Sequence, residues 1–250
     1  MIRYNQQIIQ KLEQTPHFPQ GAVGIAPSDW ARRMSIQHSF SLPKKPMTRQ
    51  EVRSICQDSN QDILQAYLIA MAWGGQGLGP GGKRHAQAAW RNQPQLSSKI
   101  EAIRKGDLSR AQSYDLFIGD AKVDGLGPAY FTKLLYFFRP SNDCYIMDQW
   151  TTKPIILLTG MNLIRHTNQG PSQSNTGLNY ELFCRIIEDL AEKMGVNSGD
   201  EMEQRLFSNG GVGRSPRGEF RQFIIAEWEM RPTIPRYNVN NVYELLNGKY

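Results

Sequence analysis

The chain has 250 residues, 40% of them hydrophobic, and a formal charge of +6, enough material for one large core or two small ones. It contains no run of about 18 apolar residues to cross a membrane, and its start, "MIRYNQQIIQKLEQ", breaks its apolar residues with Gln, Lys and Glu, unlike a secretory leader. Three scattered cysteines (Cys56, Cys144, Cys184) point to a reducing compartment without a disulfide framework and exclude a four-cysteine iron–sulfur cluster within one chain.

Residues 3 to 14 read as a short amphipathic helix with Ile8, Ile9 and Leu12 on one side. The Pro-rich stretch from 15 to 47 is irregular, with one short helix from Ser28 to Met34. Thr48 and Glu51 form a capping-box pair that starts a helix running to about Cys56. "DSNQDILQAYLIAMAW" follows as a buried helix and stops at "GGQGLGPGG", where glycines and a proline forbid regular helix. Helices are expected at 83 to 91, 96 to 105, 109 to 119, and about 128 to 138. The next follows Asp148, with Pro154 inside it calling for a kink or a late start. The polar run 165 to 179 reads as a long exposed loop. "YELFCRIIEDLAEKMG" is amphipathic, with Leu182, Phe183, Ile186, Ile187, Leu190 and Met194 inward. Helices at 199 to 207 and 217 to 229 and one or two turns near 240 to 247 complete an all-α reading without β alternation.

The charge is clustered. Lys83, Arg84, Arg91, Lys99, Arg104 and Lys105 fall in one stretch, and Arg205, Arg214, Arg217 and Arg221 in another. Such a balance favours an acidic partner such as nucleic acid over a merely basic soluble protein. The four histidines show no ligand spacing, so no metal site is implied.

"VDGLGP", residues 123 to 128, has the makings of an anion grip. Gly125 and Gly127 permit a sharp turn, and Pro128 suits the first position of a helix whose N-terminus carries partial positive charge. A bare G-x-G is more often an ordinary tight turn. Here it is followed by "YIMDQW", which places Asp148 just after an apolar run. A fixed carboxylate can stabilise the positive charge that builds on a sugar when an N-glycosidic bond breaks; alternatively, Asp148 is only a helix N-cap.

Taken together, the two segments resemble the helix-hairpin-helix DNA glycosylases, whose hairpin reads roughly L-P-G-V-G and whose essential aspartate follows in a short apolar segment. "WGGQG" and "GLGPAYFTKLLYFF" look closest to the branch related to 8-oxoguanine glycosylases, which also holds bacterial antiphage enzymes. The resemblance implies a two-lobed helical fold with a DNA-binding cleft. Its helical core spans about 50 to 160, with the helix-hairpin-helix at 111 to 138 and the aspartate segment at 144 to 158, while 1 to 49 and 180 to 250 form the second lobe. It implies Asp148 as the catalytic carboxylate and Gly125, Leu126, Gly127, Pro128 and Ala129 as the DNA-binding hairpin. Lysine-using members carry their nucleophile two residues after the second glycine. That position here is Ala129, which predicts a monofunctional enzyme that uses water and leaves an abasic site. Lys133, one turn on, is left as a catalytic or phosphate-binding residue. Candidates for a base pocket are Trp73, Gln76, Tyr130 and Trp150, each weighed against core packing. Lys83 and Arg84 are candidates for phosphate contacts. No cofactor is required, although some such hairpins hold a monovalent cation on their carbonyls, a role open to Gly125 and its neighbours. The expected partner is double-stranded DNA with a modified base, met by a monomer in the bacterial cytosol. A non-enzymatic DNA-binding module is the main rival, and an oxidised purine, an alkylated base and an enlarged phage base all remain open as targets.

Overall fold

The computed structural model describes residues 2–75, 81–168, 170–210, 217–231 and 238–246. Within them are thirteen α-helices, one 3-10 turn and a two-stranded antiparallel ribbon, an all-α fold as the sequence led us to expect. No helix among the described residues is long and apolar enough to cross a membrane. The contacts divide the chain into two units: Gly21–Cys144, and Met1–Gln20 together with Tyr145–Tyr250.

The first unit is organised around α4 (Ile63–Trp73), which Asp62 starts by accepting from the N–H groups of Leu64 and Gln65. Residues 66 to 73 of this helix are all buried, as its uniformly apolar sequence requires. Around it pack α2 (Pro27–Met34), α3 (Arg49–Gln57), α6 (Gln93–Lys105) and α8 (Pro128–Phe138). The capping box expected for α3 forms between Thr48 and Glu51. α5 (Gly82–Arg91) lies against α2 and α6. α7 (Arg110–Asp115) is shorter than the 109 to 119 expected, and a 3-10 turn at Gly119–Ala121 takes over.

The second unit is built on α10 (Gly177–Lys193), whose Leu182, Phe183, Ile186, Ile187 and Leu190 are buried. Met194, expected inward, is only half-buried at the C-terminal cap. α10 packs on α9 (Gln149–Thr159), α11 (Gly199–Phe207) and α13 (Val239–Leu246). α12 (Glu219–Met230) lies on α9, and so does the N-terminal helix α1 (Gln6–Gln14). α9 runs through Pro154 without a break in its helical assignment and without a late start.

The polar run 165 to 179 is not the exposed loop its composition suggests. β1 (His166–Thr167) pairs with β2 (Gly170–Pro171), and the ribbon packs on α9, with Gly170 facing Gln149. Asn175 is fully buried: it accepts from the Arg165 N–H at 2.7 Å and donates to the carbonyls of Arg165 and Ser172. One asparagine thus does for this segment what an apolar side chain does elsewhere, because its amide satisfies backbone groups that burial would otherwise strand.

Candidate active site and nucleic-acid interface

Asp148 sits at the N-cap of α9. Its Oδ1 accepts from the backbone N–H of Trp150 at 2.7 Å and of Thr151 at 3.1 Å, and Thr151 Oγ1 accepts in return from the Asp148 N–H. Thr151 is itself buried and donates to the Ile146 carbonyl at 2.8 Å. One carboxylate oxygen is therefore fixed by the helix it starts. The other, Oδ2, makes no hydrogen bond among the described residues, and the side chain is half-buried. The cap geometry and a reactive oxygen are compatible in one residue, because capping occupies only one of two oxygens.

Arg221, from α12, faces this carboxylate. It is 7% exposed, and its Nε and Nη2 both donate to the Phe207 carbonyl. Burial lowers its pKa to about 10, against the opposing pull of the Asp148 carboxylate and with a smaller push from Arg217. The guanidinium still carries its charge at neutral pH, 5.0 Å from the centre of the Trp150 ring. Lys153 and Arg217 also lie over that ring, at 5.1 and 6.0 Å. Lys153 faces a second indole, Trp228, at 5.4 Å, and Arg231 lies 3.4 Å over the same ring. His166, on the ribbon, tilts against Trp228 at 5.1 Å. Burial holds its pKa down at about 4, with Lys153 and Arg231 adding to the effect. Of the basic C-terminal cluster expected from the sequence, Arg217 and Arg221 gather around Trp150. Arg205 pairs with Glu201 instead, and Arg214 lies outside the described residues. Lys153 and Trp228 carried no signal in the sequence, since only the packing of α9 on α12 brings them together.

In the other unit the hairpin closes on α5. Gly125 has φ +85°, and a Cβ there would lie 2.0 Å from the His85 carbonyl oxygen and 3.0 Å from the Ala89 nitrogen. Glycine is required by conformation and by space together. Gly127 is different: its φ is −86°, and nothing lies within 4 Å of a Cβ built on it. Leu126, 1% exposed, anchors the turn from within, and Pro128 is buried at the first position of α8. The backbone N–H groups of Gly127 and Ala129 make no hydrogen bond among the described residues. These two donors stand at a helix N-terminus, as anion recognition needs. The α5 backbone against which Gly125 packs carries Lys83 and Arg84 just ahead of His85; both are exposed, and neither forms an ion pair among the described residues.

The other sequence candidates fall as follows. Lys133 is 8% exposed and donates from Nζ to the Gly74 carbonyl at 3.0 Å, at the C-terminal end of α4, with the ammonium 5.0 Å from the Tyr130 ring. Tyr130 and Ala129 are half-buried. Trp73 is 7% exposed, edge-on to Phe137 at 5.0 Å and beneath the Arg49 guanidinium at 5.1 Å. Gln76 lies outside the described residues. Part of the first basic stretch is engaged within the fold: Lys99 donates to the Leu116 carbonyl, Arg104 to that of Gln61, and Lys105 pairs with Glu101. Among the described residues no group of three or more His, Cys, Asp or Glu could hold a metal.

A family model described as "Putative 8-oxoguanine DNA glycosylase OGG-like protein" matches residues 16–207. No curated protein and no solved structure matches the chain.

Proposed function

Since the chain belongs to the OGG-like glycosylase family, we propose that it is a monofunctional DNA N-glycosylase that extrudes a modified nucleotide, releases its base and leaves an abasic site. The observation that carries this reading is the divided carboxylate of Asp148: Oδ1 holds the start of α9, and Oδ2 makes no hydrogen bond among the described residues. As the N-glycosidic bond breaks, its electron pair goes to the departing base, and positive charge grows on the sugar. A carboxylate oxygen held by a fixed helix start opposes that charge without reorganising. Water then bonds to C1′ and gives up a proton, and the base takes one up on leaving. Asp148 is suited both to stabilise the cation and to orient the water.

Two positions on α8 support the reading without lyase activity. Ala129 has no amine, and the Lys133 ammonium is turned to the Gly74 carbonyl. Strand cleavage needs an amine free to form a Schiff base with the opened sugar, and neither of these two positions supplies one. The hairpin donors at Gly127 and Ala129, with Lys83 and Arg84, would hold backbone phosphates and fix register without reading sequence. The family description favours an oxidised purine as the target; an alkylated base and a hypermodified phage base such as a glucosylated cytosine, in antiviral defence, are the other classes the reading allows.

Incubation with duplexes carrying single modified bases, followed by alkali, tests the proposal. Strand breaks that need alkali and vanish in Asp148→Asn are expected. Breaks without alkali would establish a lyase. DNA binding with no base released from any substrate, unaffected by Asp148→Asn, would leave only a binding module.

A further inference from the structure

Beyond Asp148 lies a surface that excision chemistry does not require. Lys153 touches two indoles, Trp150 and Trp228, and forms neither a hydrogen bond nor an ion pair among the described residues. Arg231 caps Trp228 while its Nη1 donates to the Trp228 carbonyl. Burial and then Arg231 lower the Lys153 pKa, and Glu229 opposes them without forming an ion pair with it. Trp150 and Trp228 are half-buried and Arg231 is exposed. An ammonium faced by π-systems rather than by a carboxylate keeps its charge for an outside anion, and an indole stacked with a guanidinium offers a flat face to another ring.

A site for phosphate alone has no use for two indoles, and a site for an apolar ligand has no use for the two cations. A nucleotide with its base unpaired needs both. We propose that Trp150, Lys153, Trp228 and Arg231 form a platform for an unpaired nucleotide of the bound strand, its base stacking at Trp228 and Arg231 and its phosphate facing Lys153. Paired bases hide their faces within the duplex stack, so the platform takes single-stranded DNA. This rests on the DNA-acting reading of the chain but not on the excision step.

The test uses the full chain and two labelled single strands of equal length, oligo(dT) and an oligomer of abasic sites, which keeps the phosphates and lacks the bases. Wild type should bind oligo(dT) more tightly than the abasic strand. Trp228→Leu should weaken oligo(dT) binding about fivefold to a hundredfold, the range for one base–aromatic stack, and leave the abasic strand unchanged. Trp228→Phe should retain most of the preference, which separates stacking from packing even if the leucine variant unfolds. Lys153→Ala should weaken both strands and flatten their salt dependence. Equal binding of the two strands by wild type, or parallel losses on both in Trp228→Leu, would overturn the platform. Failure to release a base in the excision assay would leave this binding result intact, so the two readings fail separately.

Discussion

Replacing Gly125 by alanine places two demands on the hairpin at once. A φ of +85° costs an L-residue about 1–2 kcal/mol. The new methyl must also escape the His85 carbonyl oxygen 2.0 Å away, which is backbone within α5 and cannot rotate aside as a side chain would. Overpacking of this kind costs roughly 1–3 kcal/mol, so the total is about 2–5 kcal/mol. For a chain of this size that corresponds to a fall in Tm of roughly 4–20 °C. Gly127→Ala is the matched control: its φ is ordinary and the space around it is open, so it should stay within about 0.5 kcal/mol of wild type. Thermal unfolding followed by far-ultraviolet circular dichroism reads both variants, and duplex binding reads the consequence. Gly125→Ala should lose stability and binding together, whereas Gly127→Ala should lose binding alone, because its methyl projects where the donors meet phosphate. Equal stability of the two variants would refute the assignment of one glycine to packing and the other to the ligand.

Asp148→Asn preserves a good N-cap, so Tm should barely move while base release falls by at least about a hundredfold, the scale for losing one fixed electrostatic group; a large drop in Tm would show that the residue is mainly structural. His166, with a pKa lowered from 6.5 to about 4 by burial, is neutral in the fold where the unfolded chain would bind a proton. Its contribution to stability should therefore be complete above about pH 6.5 and be lost as the pH falls towards 4. Chemical denaturation across that window should show a steeper acid loss in wild type than in His166→Gln. Removing Lys83 and Arg84 together should reduce the slope of log binding constant against log salt by about two, uniformly across duplex sequences, and a change confined to one sequence would argue against phosphate contact.

Much of the helical order was legible because apolar spacing reports burial directly. Leu182, Phe183, Ile186, Ile187 and Leu190 recur at helical intervals and are buried. The segment around Asn175 was not legible, since periodicity counts apolar residues and this one is held by amide hydrogen bonds. Asp148 could be found as an N-cap from its residue type, but the division of labour between its two oxygens depends on coordinates. Aromatic residues were the least informative. Trp73 and Trp150 both end or begin helices, yet one sits 7% exposed beneath Arg49, while the other gathers cations from positions 153, 217 and 221. Nor does any shift in composition mark the division at Cys144–Tyr145, which falls within a continuous apolar run.

The grouping of the first twenty residues with those after 144 has a consequence for synthesis. Asn5 N–H donates to the Leu158 carbonyl, and Tyr4 to Asp189, so the opening segment emerges from the ribosome long before its partners exist. At about 5–20 residues per second, it waits roughly 7–30 seconds while the intervening unit is translated. Ile8 and Leu12, both buried in the finished protein, stand uncovered for that interval, and a nascent chain stalled before Leu158 would present them to whatever binds apolar peptides near the exit tunnel.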